Sequence, residues 1–107
     1  MSTLQTRLFR LTRSLDDVAS FDAVGEHNLV TSITVEDGTL AMYSTHLPAD
    51  PALLYVFEVY ASEEAYAAHR ETKHFKDYIA ATADDLYDKE LVALAADCVV
   101  SKGSLRG

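Results

Sequence analysis

Segment 55–78 constrains the fold more than any other part of this 107-residue chain. It opens with residues 55–60 (YVFEVY), whose aromatic and β-branched side chains are typical of a β-strand. Ser62 then suits a helix N-cap, and the two glutamates after it would lie in the first turn, where the helix dipole favours negative charge. Thr72 can cap a second helical segment. The sequence therefore predicts a strand followed by a broken helix.

Three more strands and one long helix are predicted in the remainder of the chain. Alternation of apolar and polar residues indicates strands over residues 4–12 and 39–45, and the last strand is placed at residues 91–102, including Cys98. Cys98 is expected to be a small buried hydrophobe of that strand.

The long helix is predicted to begin near Val18, because residues 14–17 (SLDD) match the capping-box pattern. Its inward stripe would comprise Val18, Phe21, Gly25, Asn28, Leu29, Ser32 and Val35. Gly38 is expected to end the helix in the left-handed C-cap conformation. In the broken helix, a second stripe would comprise Phe75, Tyr78, Ile79, Thr82 and Leu86.

The resulting order, β-α-β-β-α-β, predicts a ferredoxin-like α+β fold with an antiparallel sheet and both helices on one sheet face. The third strand carries bulky residues on both sides, and water contact would forfeit about 1.5–3 kcal/mol per large side chain. A second copy of the sheet would cover the free face, so we expect a homodimer. Residues 1–107 are expected to form a single domain, with its core at about 4–102 and a loose tail at 103–107.

Composition excludes several function classes. The formal net charge of −8 disfavours binding to nucleic acid or to an anionic membrane, since both require clustered Lys and Arg. The single cysteine excludes an intrachain disulfide and favours a reducing compartment. With no apolar run of membrane-spanning length and no signal-peptide pattern, we expect a soluble, cytoplasmic protein.

Segment 56–78 resembles the signature of the antibiotic biosynthesis monooxygenase family, here VFEVYASEEAYAAHRETKHFKDY, and residues 27–43 resemble the family's first helix end and second strand. The matching positions are Glu58, Tyr60, Ser62, Glu63, Glu64, Ala65, His69, Thr72, His74 and Phe75. The resemblance covers most of the chain and implies the dimeric ferredoxin-like barrel of that family.

The resemblance implies a choice among several activities. The family includes cofactor-independent oxygenases of hydroquinones and polyketide phenols, haem-degrading enzymes and an isomerase of a phosphorylated autoinducer-2 sugar. Haem degradation is disfavoured, because the axial histidine of that branch corresponds to Ile79 and its tryptophan to His69. The glutamate and tyrosine of the isomerase correspond to Glu58 and Tyr60, and its first-helix polar residue to Asn28.

Seven side chains are therefore candidates for an active site. The catalytic candidates are His69, Glu58 and Tyr60; the substrate-binding candidates are Asn28, His74, Phe75 and Tyr78. Imidazole can deprotonate a phenol near neutral pH, and a carboxylate buried in an apolar strand can have a raised pKa.

Each candidate also has a structural alternative. Glu58 could pair with Arg7 or Arg10, and His69 could bond to a backbone carbonyl. His74 could cap the helix break. Tyr60 and Asn28 could be satisfied core polar groups, and Phe75 and Tyr78 could belong to the core.

The leading hypothesis is a monooxygenase without a cofactor that oxidises a phenolic, hydroquinone or polyketide-like substrate with O2. No metal is expected, since His69 and His74 lack the spacing of two helical ligands four residues apart. One alternative is isomerisation of a small phosphorylated hydroxyketone sugar through Glu58. A second is a dimeric module that binds a metabolite without converting it.

Overall fold

The computed structural model describes residues 4–103. Its elements are β1 (Gln5–Arg13), α1 (Val18–Val35), β2 (Thr39–Leu47), β3 (Asp50–Tyr60), α2 (Glu63–Arg70), α3 (Lys73–Thr82) and β4 (Leu86–Ala95). The predicted ferredoxin-like α+β arrangement is confirmed, with the second helix divided into α2 and α3. Apart from Gly103, the tail predicted at 103–107 lies outside the described residues. None of the helices within residues 4–103 is long and apolar enough to cross a membrane.

The four strands form one antiparallel sheet in the order β2-β3-β1-β4. β3 is paired on both sides, and its side chains alternate between the two sheet faces. Leu54, Val56 and Glu58 point to the helix-covered face, and all three are buried. The opposite sheet face, which we call the open face, carries Tyr55 and Phe57.

A small apolar core joins the sheet to α1. Its buried members are Leu11, Phe21, Leu54 and Val56, with Phe9 and Leu86 packed against them. The core ends at Arg13, whose guanidinium is 2% exposed and pairs with Asp22 of α1 at 2.5 Å. This charge-assisted bond fixes the start of α1 against the end of β1.

The helix starts follow from side-chain caps. Ser62 and Thr72 accept hydrogen bonds from the backbone N–H groups of Ala65 (3.1 Å) and Phe75 (3.3 Å), so both predicted caps are confirmed. The first helix differs: Asp17, not Ser14, caps α1, and Asp17 accepts from the N–H of Ser20. Because the side chain of Thr72 caps the N-terminus of α3, this helix begins separately from α2 and the backbone breaks between them.

The predicted position of the last strand was wrong. β4 runs from Leu86 to Ala95, because its first residue already pairs with Arg13 and its last with Gln5, which uses the full length of β1. Leu86 is therefore a strand residue and not part of the helical stripe. Cys98, expected to be buried in this strand, lies beyond it and is exposed.

Two expectations for the end of the first helix were also wrong. Val35 is 62% exposed and so lies outside the inward stripe of α1. Gly38 does not adopt a left-handed conformation, since the only glycine with positive φ among the described residues is Gly103. Gly38 is instead required by a close approach: a Cβ added there would lie 2.4 Å from the Cβ of Ala65 on α2. Two carbon atoms that are not bonded to each other essentially never lie so close together.

Replacing Gly38 by Ala should therefore destabilise the fold by about 1–3 kcal/mol, the usual cost of overpacking. Chemical denaturation would measure the change in the free energy of unfolding. Gly25→Ala is the matched control, because a Cβ at Gly25 would meet its nearest atom, on Tyr78, at an ordinary 3.9 Å. In mid-helix, that change should be neutral or stabilising by up to about 1 kcal/mol. Equal destabilisation by the two variants would contradict this account of Gly38.

Candidate functional site

A cavity of about 1060 Å³ lies between the helices and the covered face of the sheet. All four strands and all three helices contribute to its wall. Of the seven predicted site residues, five line this cavity: Asn28, Glu58, His69, Phe75 and Tyr78. Its size and mixed polar and apolar wall suit a small organic ligand.

The other two predicted residues lie behind the cavity wall. Tyr60 is fully buried beneath it, with 0% exposure. His74 lines a separate, shallower depression between α1 and α3, beside His27 and Asp77.

His69 is held by a carboxylate that sequence reasoning missed. Its side chain is 1% exposed, and its Nδ1 lies 2.9 and 3.1 Å from the two carboxylate oxygens of Glu36. The backbone carbonyl predicted as an alternative partner is not used. The imidazole also packs edge-on against Phe75, with ring centroids 4.9 Å apart. His69 Nε2 makes no hydrogen bond to any residue in the described range 4–103.

Glu36 reaches this position because α1 stops at Val35 and the chain turns. The backbone of Glu36 is extended, and its N–H still donates to the carbonyl of Ser32 at 3.0 Å, as a C-cap residue does. The hydroxyl of Thr39, at the start of β2, donates to Glu36 Oε1 at 2.7 Å. His74 Nε2 makes a short hydrogen bond to Glu36 Oε2. One carboxylate therefore joins the end of α1, α2, the start of α3 and β2.

The pKa shifts of this cluster have clear physical causes. Burial alone would raise the pKa of Glu36, but hydrogen bonds from Thr39, His74 and His69 outweigh it, and the pKa is lowered. Burial lowers the pKa of His69, opposed by the attraction of Glu36. At neutral pH the carboxylate is thus ionised and His69 is neutral.

These protonation states fix the tautomer of His69. An ionised carboxylate only accepts hydrogen bonds, so Nδ1 of the neutral ring must carry the proton it shares with Glu36. The lone pair of His69 is then on Nε2, the ring nitrogen without a protein partner among the described residues. Such a nitrogen can accept a proton from a bound ligand.

Glu58 and Tyr60 form a second buried pair. The hydroxyl of Tyr60 donates to Glu58 Oε1 at 2.5 Å, and neither predicted arginine contacts this carboxyl: Arg10 pairs with Glu90, whereas Arg7 bonds to Gln5 and to a backbone carbonyl. Burial raises the pKa of Glu58, although the hydrogen bond from Tyr60 opposes the rise. Burial and the nearby Glu58 raise the pKa of Tyr60, so Tyr60 remains a donor.

Asn28 presents an unsatisfied polar atom. Its side chain is buried, with 3% exposure, and its Oδ1 has no hydrogen-bond partner within residues 4–103. An unpaired buried amide oxygen costs free energy unless water or a ligand donates to it. Since Asn28 lines the cavity, a ligand hydroxyl inside the cavity could supply that bond.

Tyr78 and Phe75 supply the apolar part of the wall. Burial raises the pKa of Tyr78, and the negative charge of Glu58 adds to the rise, so its hydroxyl stays protonated. The aromatic ring of Phe75 lies in the same wall as His69, which it contacts edge-on.

One set of three side chains in the described residues could hold a metal ion. Glu36, His69 and His74 bring one ligand atom each within 4.8 Å of one another. The carboxylate of this set is Glu36, and not the candidate active-site residue Glu58. Each imidazole already has a hydrogen bond to the carboxylate, so the cluster is satisfied without an ion.

The raised pKa of Glu58 predicts an unusual dependence of stability on pH. A carboxyl whose folded-state pKa exceeds its unfolded value stabilises the fold below the unfolded pKa, and that contribution is lost as the pH rises through the folded pKa. Glu58→Gln should therefore gain stability relative to wild type as the pH rises above about 4.5.

Glu36→Gln should show the opposite trend, because the pKa of Glu36 is lowered: its deficit in stability should shrink as the pH falls below about 4.5. Free energies of unfolding between about pH 2 and pH 8 would measure both trends. A stability difference between Glu58→Gln and wild type that does not change with pH would contradict the raised pKa.

The chain matches the sequence pattern described as antibiotic biosynthesis monooxygenase over residues 8–81. No curated protein matches it. A solved structure from Bacteroides thetaiotaomicron, a candidate antibiotic biosynthesis monooxygenase, is 26% identical with a TM-score of 0.88, and the match covers 95% of this chain and 97% of that one.

A candidate monooxygenase from Lactobacillus acidophilus is 28% identical with a TM-score of 0.94; the match covers 98% of this chain but only 50% of that longer chain. A structure from Caulobacter crescentus, 23% identical over 89% of this chain and 91% of its own with a TM-score of 0.84, shares the fold. By the match over residues 8–81, this chain belongs to the antibiotic biosynthesis monooxygenase family.

Proposed function

We propose that this protein is a monooxygenase that needs no cofactor and oxidises a small phenolic, hydroquinone or polyketide-like substrate with O2. One observation carries the proposal: Nε2 of His69 and the buried Oδ1 of Asn28, which have no hydrogen-bond partner within residues 4–103, belong to side chains that line one cavity. A phenolic compound offers what both groups lack, namely an acidic hydroxyl and a hydrogen-bond donor.

In this proposal His69 accepts the proton of a substrate hydroxyl at Nε2. The resulting phenolate is electron-rich enough to pass electrons to O2 itself. In the overall reaction, a substrate carbon gains one oxygen atom, the substrate molecule as a whole loses two hydrogens, and these leave with the second oxygen atom as water. The protein supplies the base, the orientation and an environment with little water.

Three other predicted residues of the cavity wall would hold the substrate in place. Asn28 would accept a hydrogen bond from a second substrate hydroxyl, and Phe75 and Tyr78 would pack against the aromatic rings. Family membership and the two relatives named as candidate monooxygenases support the reaction class.

His69→Gln should reduce oxygen uptake at least about tenfold, because general-base catalysis contributes about 10²–10⁴ in rate and glutamine cannot take up the proton. Chelator-treated protein would be tested against a panel of hydroquinones and polycyclic phenols, with product masses recorded. His27→Gln is the matched control, since His27 is exposed and does not line the cavity. Unchanged uptake in His69→Gln, with uptake present in wild type, would remove His69 from the mechanism.

The surroundings of Glu58 support a second candidate function, the isomerisation of a small phosphorylated hydroxyketone sugar. A carboxyl with a raised pKa that faces the cavity can move a proton between adjacent carbon atoms. The same panel run under nitrogen in deuterated water, with such sugars added, separates the two reactions. Products of unchanged composition that carry solvent deuterium would support isomerisation, and a product that has gained one oxygen atom and lost two hydrogens only in air would support oxygenation. A ligand that stabilises the protein without being converted would support a binding module.

We also propose that two copies associate through the open face of the sheet. Apolar side chains of three strands lie on this face, and several are exposed: Tyr43 by 44%, Val92 by 36% and Leu94 by 39%. Helices cover the other face, so a second sheet is the surface that matches this one in shape and chemistry. A homodimer would exclude water from all these groups at once.

Val92→Glu should convert the dimer to a monomer, because it places a charge within the apolar open face at an interface that would have to desolvate it. Sedimentation equilibrium of wild type and variant would measure the change. Val100→Glu is the control, since Val100 is 87% exposed and lies outside the sheet. A monomeric wild type, or a Val92→Glu variant that remains dimeric, would contradict the proposed interface.

A further inference from the structure

We infer that Glu36 is a positioning residue of the site, which holds His69 with its Nε2 lone pair directed into the cavity and stabilises the imidazolium that forms there. The inference rests on the proposed role of His69 as a base. Glu36 itself would not touch the substrate, since it is not part of the cavity wall.

The contacts of the His69 imidazole fix the orientation of the ring. Both Glu36 oxygens lie within 3.1 Å of Nδ1, so the ring cannot turn Nδ1 toward the cavity without losing two contacts to an ionised carboxylate. Ser32 Oγ, whose hydroxyl donates to the carbonyl of Asn28 at 2.7 Å, lies 3.5 Å from the same nitrogen and is uncharged, so it is a much weaker acceptor for Nδ1–H than the carboxylate of Glu36. Phe75 and Tyr60 pack around the ring and oppose a flip.

The carboxylate is itself immobilised. Thr39 donates to Oε1 and His74 to Oε2, so that both oxygens are occupied before His69 is counted. Two such donors favour the ionised form and remove the rotational freedom that a long glutamate side chain normally keeps. His74 therefore contributes to the site from outside the cavity, by holding Glu36.

The charge of Glu36 matters most after proton transfer. When His69 takes the substrate proton, a positive charge forms on a ring that is almost wholly buried, and burial alone disfavours it. Glu36 is the only acidic group in contact with His69 in residues 4–103; the other titratable neighbours are His74 on α3 and Tyr60 on β3, with Glu58 beyond Tyr60. An adjacent carboxylate offsets the cost of the imidazolium, as in a histidine–carboxylate dyad.

The test compares wild type with Glu36→Gln, which keeps the shape and one hydrogen-bond acceptor but removes the charge. Nitrogen-15 NMR of the free protein would report the tautomer and pKa of His69. We expect wild-type His69 to be neutral with the proton on Nδ1, and its pKa to fall in Glu36→Gln, because the attraction of Glu36 raises it.

Kinetics provide the second readout. In Glu36→Gln, kcat/KM should fall at least about tenfold with KM little changed, and its acidic limb should move to lower pH. A purely structural role would lower the activity without moving the limb. Asp84→Asn, at an exposed position beyond α3, is the control and should match wild type.

The two readouts separate this inference from the proposed function. The NMR measurement needs no substrate, so it tests Glu36 even if no oxygenase activity is found, and the wild-type tautomer tests it even if Glu36→Gln fails to fold. A wild-type His69 protonated on Nε2, or a His69 pKa unchanged in Glu36→Gln, would overturn the positioning role. So would an active variant whose acidic limb coincides with that of wild type.

Discussion

The hydrogen bonds of one buried carboxylate determine how the helices of this protein meet. Glu36 ends α1, and its oxygens bind a histidine of α2, a histidine of α3 and a threonine of β2. A buried charge without partners would be strongly destabilising, so the carboxylate requires these elements to approach it together. The break between α2 and α3 is part of the same arrangement: it allows His69 and His74, on separate helices, to reach one carboxylate from two directions.

Two carboxyl groups, Glu58 in the cavity wall and Glu36 behind it, have pKa values shifted in opposite directions. Glu36 receives three donors and has a lowered pKa, whereas Glu58 receives one hydrogen bond in a more buried setting and has a raised pKa. Because the environments push their pKa values apart, one group favours the ionised form and the other tends toward the protonated form. The proposed oxygenase uses the first, through His69, and the isomerase alternative would use the second. The two hypotheses therefore depend on different carboxyl groups, whose surroundings favour different protonation states.

The sequence predicted what depends on local chemistry. Ser62 and Thr72 cap the helices as predicted, because a helix cap depends on only a few neighbouring residues. Leu86 and Cys98 were misplaced, since the extent of β4 is set by β1, more than seventy residues away.

Glu36 was missed for a related reason. Within VEDG it resembles an ordinary polar residue at a helix end, and its histidine partners lie 33 and 38 positions further along. One indication of such a residue was present in the sequence: the broken helix contains two histidines, His69 and His74, to which no acidic partner was assigned. Contacts at such sequence separation follow from tertiary packing and not from propensity.

The central position of β3 links the assembly of the sheet to the chemistry of the cavity. Glu58 and Tyr60 lie two residues apart and share the covered face, while Phe57 and Val59, which alternate with them along β3, point to the open face. A slip of β3 by one residue against either neighbour would exchange these sets, burying phenylalanine in the cavity and placing the carboxyl on the apolar outer surface. Such an isomer would have nearly the same backbone hydrogen bonds but neither a polar pocket nor a surface fit for a second sheet. Correct pairing of β3 with both neighbours is therefore the folding event that creates the pocket and the open face together.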